Sequence, residues 1–382
     1  MRRSFLGLLL CLAACTGRDP DRLTLQPVPV ASLPGWKTEH PAQFLPVLLS
    51  TCAHLATLPP EQKLGGAGEA ARLGGTAGQW AAACAAARHV PKGRDTAARR
   101  FFEQNFRAYS ISSNYRPAAL FTGYYEPQLQ GDTAPSPLCA TPLLAPPPDL
   151  VQRALPPLPA ESKPRLVYGR LVGRTLKPYF DRSAIEDGVI DHHDLARYWL
   201  RDPVDLFFLQ IQGSGRIQLP DGQIRRVGYA AQNGHAFVDI GRILVRRGAL
   251  TVPPTMQAVR DWLRAHPVEQ RAVMDLNGSY VFFREFDLPP DQGPLGALGL
   301  PLTPLRSAAI DPAFLPLGAP LWVDTRDPVQ GAPLQRLMLA QDVGGAIHGP
   351  GRADLFFGWG QQAERRAGGM WGRGGAYILL PR

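Results

Sequence analysis

Along the chain, apolar positions first follow a helical rhythm and then give way to the short runs of strands. Residues 79–88 are mostly alanine, and residues 95–109 place Phe101, Phe102, Phe106 and Tyr109 at near-helical spacing behind a capping Asp95. Both stretches predict helices whose aromatics face a core. From Phe121 onward the pattern is β. Residues 206–212 form a short, nearly unbroken apolar run and predict a buried strand, while residues 216–229 predict a hairpin turning at Pro220-Asp221-Gly222. Helical spacing returns over 237–247, stopped by Gly248, and over 255–265, stopped before Pro267. Beyond Leu300 the apolar runs at 321–323, 337–340 and 377–380 are separated by glycine and proline, as in a small barrel.

A length of 382 residues suits two domains, and 45% apolar residues suffice for a sizeable core. With 39 glycines and 39 prolines a helical bundle is disfavoured, and the proline-rich stretch 133–164 predicts an extended loop or linker. The expected fold class is therefore mainly β. No apolar run after the first residues is long enough to span a bilayer, which excludes a multi-pass membrane protein. The net charge of +9 invites a nucleic-acid partner, but the cations are almost all arginine, scattered along the chain and outside any nucleic-acid-binding signature. No nucleic-acid partner is expected.

The start of the chain reads as a secretory signal: Arg2 and Arg3, an apolar run over 5–12, then small residues. Leu12-Ala13-Ala14-Cys15 resembles a bacterial lipobox, which implies a lipid on Cys15 and attachment to a membrane by acyl chains. Thr16 rather than Asp after it favours, by resemblance to enterobacterial sorting, the periplasmic side of the outer membrane. Residues 16–35 are polar and proline-bearing and predict a tether. Beyond Cys11 and Cys15 remain Cys52, Cys84 and Cys139, an odd set without metal-ligand spacing; one disulfide is permitted, and Cys52 with Cys84 is one pairing.

Four segments have the composition of a polysaccharide site, in which aromatic faces stack on sugar rings while amides and hydroxyls bond the ring substituents. They are Phe121-Thr122-Gly123-Tyr124-Tyr125-Glu126-Pro127, Gln210-Ile211-Gln212-Gly213-Ser214-Gly215, Gln232-Asn233-Gly234-His235, and the stretch from Asn277 through Ser279 to Phe283. Each alone reads more readily as a turn or hairpin. The carboxylates carry the chemistry. Asp342 ends an apolar run beside Gly344 and Gly345, and Asp354 precedes Phe356, Phe357 and Trp359, a setting that desolvates a carboxyl and keeps it protonated as a general acid. The bland alternative is that Asp354 caps a turn. No Gly-x-Ser-x-Gly elbow, phosphate-binding loop or dinucleotide motif is present.

In order, FTGYYEP, YGRLVGRTLKPYFDRSAIEDG, DLFFLQIQGSGRIQLPDG, YAAQNGHAFVDIGRIL, NGSYVFF and LAQDVGGAIHGPGRADLFFGWG resemble the membrane-bound lytic murein transglycosylase A family. The likeness runs from about Phe121 to the C-terminus. It implies a double-psi β-barrel domain from residues 36–127 and 235–382, with a three-aspartate region over about 300–382, interrupted by a second β domain over 128–234, the glycan lying between them. It further implies that Asp354 is the catalytic acid, that Asp342 supports it, that Asp311 is structural or supporting, and that Thr122, Gly123, Tyr124, Gln212, Gly213, Ser214, Gly215, Asn233, Gly234 and Ser279 bind substrate. The implied reaction cleaves the β-1,4 bond between N-acetylmuramic acid and N-acetylglucosamine without water, one Asp serving as acid then base and no metal or cofactor being required. The expected partners are peptidoglycan glycan strands and proteins of cell-wall synthesis or division; the expected state is a monomer. The alternatives are a non-catalytic peptidoglycan-binding lipoprotein and a hydrolysing muramidase.

Overall fold

Leu23 and Leu25 alternate with Thr24 and Gln26, and an alternating segment gains most by laying its backbone against a sheet edge. In the computed structural model, which describes residues 21–155, 165–252, 254–289 and 291–382, it does so. Strand β1 (Leu23–Val28) pairs antiparallel with β2 (Phe106–Ser113), Leu23 opposite Ser113 and Val28 opposite Ala108. The expected tether is thus a strand from Leu23 onward, and Pro27 is tolerated because β1 is an edge. The signal-like segment and Cys15 lie outside the described residues.

Between these strands come helices α1 (Leu45–Leu55), α2 (Gly68–Gly74), α3 (Ala81–Arg88) and α4 (Asp95–Asn105). Helix α4 stops earlier than the periodicity suggests. Phe106 takes an extended conformation, because the backbone from there on is satisfied by two neighbouring strands. Asp95 sits in the first turn, where its carboxylate accepts from Ala42 N–H (3.0 Å) and holds His40 at 2.7 Å. Phe101, Phe102 and Phe106 pack mutually in the core, with ring centroids 4.9 to 5.7 Å apart, beside buried Trp36, Trp80 and Trp322. Cys52 on α1 and Cys84 on α3 form a disulfide. Replacing both with alanine is expected to cost about 2–4 kcal/mol of stability in urea unfolding, through the freer unfolded chain; an unchanged midpoint would show that the bridge does not form.

After β3 (Ala118–Glu126) the chain enters a second body: β4 (Gln128–Asp132), β5 (Thr141–Leu144), β6 (Val151–Leu155), β7 (Arg165–Val172), β8 (Thr175–Pro178), α5 (Arg182–Glu186), β9 (Ala196–Leu200), α6 (Pro203–Gln212), β10 (Ser214–Gln218) and β11 (Ile224–Gln232). The proline-rich stretch is not all loop. It contributes β5 and β6, each at the edge of its sheet, where a missing N–H costs no ladder bond. The run 206–212 is helix rather than strand. Asp202 accepts from Val204 N–H (2.8 Å), Pro203 opens the first turn, and Gly213 closes the helix at φ 77°. Helical periodicity is hidden there because the helix is buried on two sides. Leu206 and Leu209 pack on the β10 sheet, while Val204, Phe207 and Phe208 pack on helices α7 (Ile240–Arg246) and α8 (Met256–Ala265), which come next. The hairpin at Pro220-Asp221-Gly222 and the helix expected over 255–265 both form, the latter as α8 capped by the Thr255 side chain.

Pro267 starts α9 (Pro267–Met274) instead of merely ending a helix. Strand β12 (Val281–Phe286) then completes the sheet β12-β11-β10-β4-β9-β5, which therefore reaches past residue 234, where the inserted domain was expected to end. The remaining elements are β13 (Ser307–Ile310), β14 (Pro320–Arg326), β15 (Pro333–Asp342), β16 (Arg352–Trp359), α10 (Gly360–Gly369) and β17 (Trp371–Pro381). They join β3 in the order β3-β16-β13-β15-β14-β17, and β17 pairs back onto β3, closing the sheet; β2 and β1 extend it from β17. The fold is mainly β with several helices. Among the described residues no helix is long and apolar enough to cross a membrane.

Candidate active site

Strand register sets the site. Thr122 on β3 is opposite Asp354 on β16, Asp354 is opposite Ala309 on β13, and Ala309 is opposite Asp342 on β15. Side chains in such a row share one face of the sheet. A register shift between Ala308 and Ala309 brings Asp342 into line, and the small Ala309 leaves open space between the two acids. This row faces a cavity of about 1350 Å³, lined on the far side by α7, α8 and the end of α6.

The two carboxyls differ in their partners. Asp342 holds three donors: its Oδ1 accepts from Val343 N–H (2.9 Å) and Ala297 N–H (3.1 Å), and its Oδ2 accepts from the Tyr124 hydroxyl (3.0 Å). Burial raises its pKa, but these three donors oppose the rise. Among the described residues Asp354 accepts from a single donor, Thr122 Oγ1 at 2.7 Å. Burial pushes its carboxyl up to about 6; the Thr122 hydrogen bond and the Arg352 guanidinium pull it down, and the charge of Asp342 adds to the rise. Environments that separate the pKa values of two neighbouring acids assign their roles; both carboxyls are raised here, and Asp354 is raised to about 6. Burial and both acids hold the Tyr124 phenol well above its usual value, so it stays a donor.

Arg352, which the motif reading passed over, braces this pair. Its guanidinium donates to Leu120 O (3.2 Å) and to Thr122 Oγ1 (3.3 Å), fixing the hydroxyl that in turn holds Asp354. Its role has no local signature, since the partners lie 230 or more residues away in sequence. Phe237 (42% exposed) and Trp371 (39%) also line the cavity, and Trp371 is opposite Thr122 across β17 and β3. They offer aromatic faces beside the acid.

Of the residues expected to bind substrate, Thr122, Gly123, Tyr124 and Gln212 line the cavity that holds Asp354. Gly123 also serves packing, since a Cβ there would lie 2.8 Å from Ala367 Cα of α10. Gln212 accepts from Tyr125 N–H at 3.0 Å. Gly213, Ser214 and Gly215 stand at a helix-to-strand turn and do not line the cavity; the space at Gly215 is taken by Leu209. Asn233, Gly234 and Ser279 form a separate cluster. Buried Asn233 donates to Phe180 O (2.9 Å) and Gly278 O (2.8 Å) and accepts from Tyr280 N–H (2.9 Å), so its amide ties loops together. Asp311 is likewise occupied by backbone, accepting from Ala313 N–H (2.9 Å) and Gly349 N–H (2.8 Å), and it anchors the loop before β16.

Behind the site, buried Glu126 at the end of β3 accepts from Arg216 Nε (2.9 Å) and Arg226 Nη2 (2.7 Å) on the second sheet. Both arginines also donate to Gln292 O, and Arg216 lies over the Trp359 ring. This ionic knot joins the closed sheet to the second one.

Known proteins share this fold. Residues 120–284 match the model of the MltA specific insert domain, and residues 306–380 match that of the 3D domain. The crystal structure of a membrane-bound lytic murein transglycosylase from Agrobacterium tumefaciens is 35% identical, with a TM-score of 0.82 over 94% of this chain and 98% of that one. This chain belongs to the membrane-bound lytic murein transglycosylase A family. Another family structure, Escherichia coli MltA with bound chitohexaose, is 25% identical, with a TM-score of 0.64 over 88% of this chain and 90% of that one. The curated family member from Escherichia coli K12 is 37% identical over 173 residues, 43% of this chain and 46% of that protein. The chain spans about half the length of the curated relatives it matches.

Proposed function

We propose that this protein is a lytic transglycosylase that cleaves the β-1,4 bond between N-acetylmuramic acid and N-acetylglucosamine in peptidoglycan and leaves 1,6-anhydromuramic ends. The observation that carries this is the pairing of one proton-holding acid, Asp354, with a neighbour, Asp342, whose oxygens are already engaged by three donors. A hydrolase that needs two carboxylates would use the second to activate water. Asp342 is poorly placed for that work, whereas a single carboxyl is enough when the nucleophile belongs to the substrate. Asp354 gives its proton to the departing glycosidic oxygen as the bond to the muramyl anomeric carbon breaks. Its carboxylate then takes the proton of the muramyl 6-hydroxyl while that oxygen bonds the same carbon, so the acid returns to its starting state. Intramolecular attack gains from a high effective molarity.

Further parts of this reading stay at the same level. The closed six-strand order supports a double-psi barrel, built from residues 36–127 and the C-terminal region, with the second sheet as the inserted domain and the glycan seated between. Thr122, Tyr124 and Gln212 are the substrate contacts that the cavity supports, while Asp342 orients Tyr124 and Asp311 holds a loop. Bound chitohexaose in the Escherichia coli relative supports a glycan as ligand. The lipobox-like Cys15 supports a lipid anchor at the periplasmic face of the outer membrane, beside the murein, with the protein acting as a monomer.

Mass spectrometry of muropeptides released from purified sacculi tests the reaction. Products with 1,6-anhydromuramic ends are expected. Reducing ends would mean a hydrolysing muramidase with Asp342 as base, and binding without release would mean a non-catalytic wall-binding protein; either overturns the proposal.

A further inference from the structure

The cavity that holds Asp354 has a charge that its acid pair does not explain. Arg242 and Arg246 on α7, Arg373 on β17 and Arg116 beside the β2–β3 turn all line it, and all four are exposed. Arg242 pairs with Asp239 at 3.2 Å. The guanidinium groups of Arg116, Arg246 and Arg373 meet no acidic side chain among the described residues. Arg242 and Arg246 are one helical turn apart and so project from the same face of α7, along one wall of the cavity. Arg373 is opposite Leu120 on β3, the residue whose carbonyl Arg352 holds, which puts it on the other wall near the acid row.

The acids lining the same cavity neutralise this set only in part, through the pairing of Asp239 with Arg242. Asp342 is held by three donors, Asp354 carries the proton in the proposed reaction, and Asp239 spends one oxygen capping α7 through Arg242 N–H. Asp21, at the far end near Arg116, is the remaining carboxylate. An uncharged amino-sugar chain gives such a rim hydrogen-bond acceptors but no charge to pair with. Cations left unpaired around a cleft concentrate anionic ligands, and a guanidinium fork matches a carboxylate in shape as well as charge.

We propose that Arg242, Arg246 and Arg373 read carboxylates carried by the glycan's muramic acid residues, so that anionic glycan is selected over uncharged glycan of the same length. This rests on the glycan reading of the cleft. The carboxylates have two sources, the 3-O-lactyl group itself and the acidic peptide attached to it.

Calorimetric titration of an Asp354→Asn background, which leaves the ligand intact, separates these cases. Three ligands are compared at low and high salt: chitohexaose, glycan stripped of peptide so that its lactyl carboxylates are free, and glycan with its peptides. At low salt at least one anionic glycan is expected to bind about tenfold more tightly than chitohexaose, with the difference shrinking as salt screens it. Adding Arg242→Gln, Arg246→Gln and Arg373→Gln should bring all three ligands to within about twofold of one another. Preference for the stripped glycan assigns the lactyl group, and preference for the peptide-bearing glycan alone assigns the peptide. Equal affinities before substitution, or a preference that survives all three substitutions, would overturn the inference while leaving the glycan site intact. Failure of the unsubstituted background to bind any of the three would remove the glycan reading itself, and the inference with it.

Discussion

Asp354→Asn is expected to lower turnover on isolated murein by at least about 10²-fold while glycan binding persists. Asparagine keeps the size and the Thr122 contact of the native side chain but has no proton to give and cannot take one back. A variant that releases muropeptides at the native rate would remove Asp354 from the mechanism. The same residue sets the pH dependence. An acid whose pKa is raised to about 6 is protonated below that value, so kcat/KM should fall by up to tenfold per pH unit above about 6. Stability follows with the opposite consequence for the native residue. Because the folded-state pKa lies above the ordinary 3.8, ionisation costs more in the folded protein than in the unfolded chain. The cost is absent below about pH 4 and complete above about pH 6, where Asp354→Asn should stabilise the fold by up to about 3 kcal/mol. Urea unfolding of both proteins at pH 4 and pH 7.5 reads this out; equal differences at the two pH values would show that the carboxyl titrates normally.

Glu126→Ala should destabilise the protein by about 3–5 kcal/mol, the usual result of removing one partner from a buried ionic group. Glu126, Arg216 and Arg226 are all nearly inaccessible to solvent, and the substitution removes the carboxylate that compensates two guanidinium charges. Some donors would still reach Gln292 O and Pro289 O, but a neutral carbonyl does not cancel a charge. Glu126 ends the strand that carries Thr122 and Tyr124, and its partners stand on β10 and β11 of the second sheet. Activity should therefore decline together with stability, because the two walls of the cavity lose their common anchor. Thermal and urea unfolding measure the effect. A midpoint equal to that of the native protein would mean that the arginines are solvated in solution and that the knot does not join the sheets.

The chain's own pattern was sufficient for those features that neighbours in sequence determine. The hairpin at Pro220-Asp221-Gly222, the helix α8 ending before Pro267, the aromatic core around Phe101 and Phe102, and the mainly β class all follow from local turn chemistry and periodicity. Asp354 stood out for the same reason, since the apolar residues that follow it in the sequence already suggest a desolvated carboxyl. Where burial on two sides erased the period, as in α6, or where an alternating segment was short and proline-bearing, as in β1, the local pattern misled. What separates Asp354 from Asp342 was out of reach of sequence. It depends on Thr122 in register across β3 and β16, on Tyr124 and Ala297 reaching Asp342 from distant segments, and on Arg352 bracing Thr122, and such contacts exist only once the sheet has closed. The same closure left Asn233 and Ser279 outside the cavity and drew the arginines of α7 and β17 to its walls. Residue types set which chemistry the chain can perform, whereas hydrogen-bond partners and burial, which are properties of the folded neighbourhood, decide which carboxyl holds the proton.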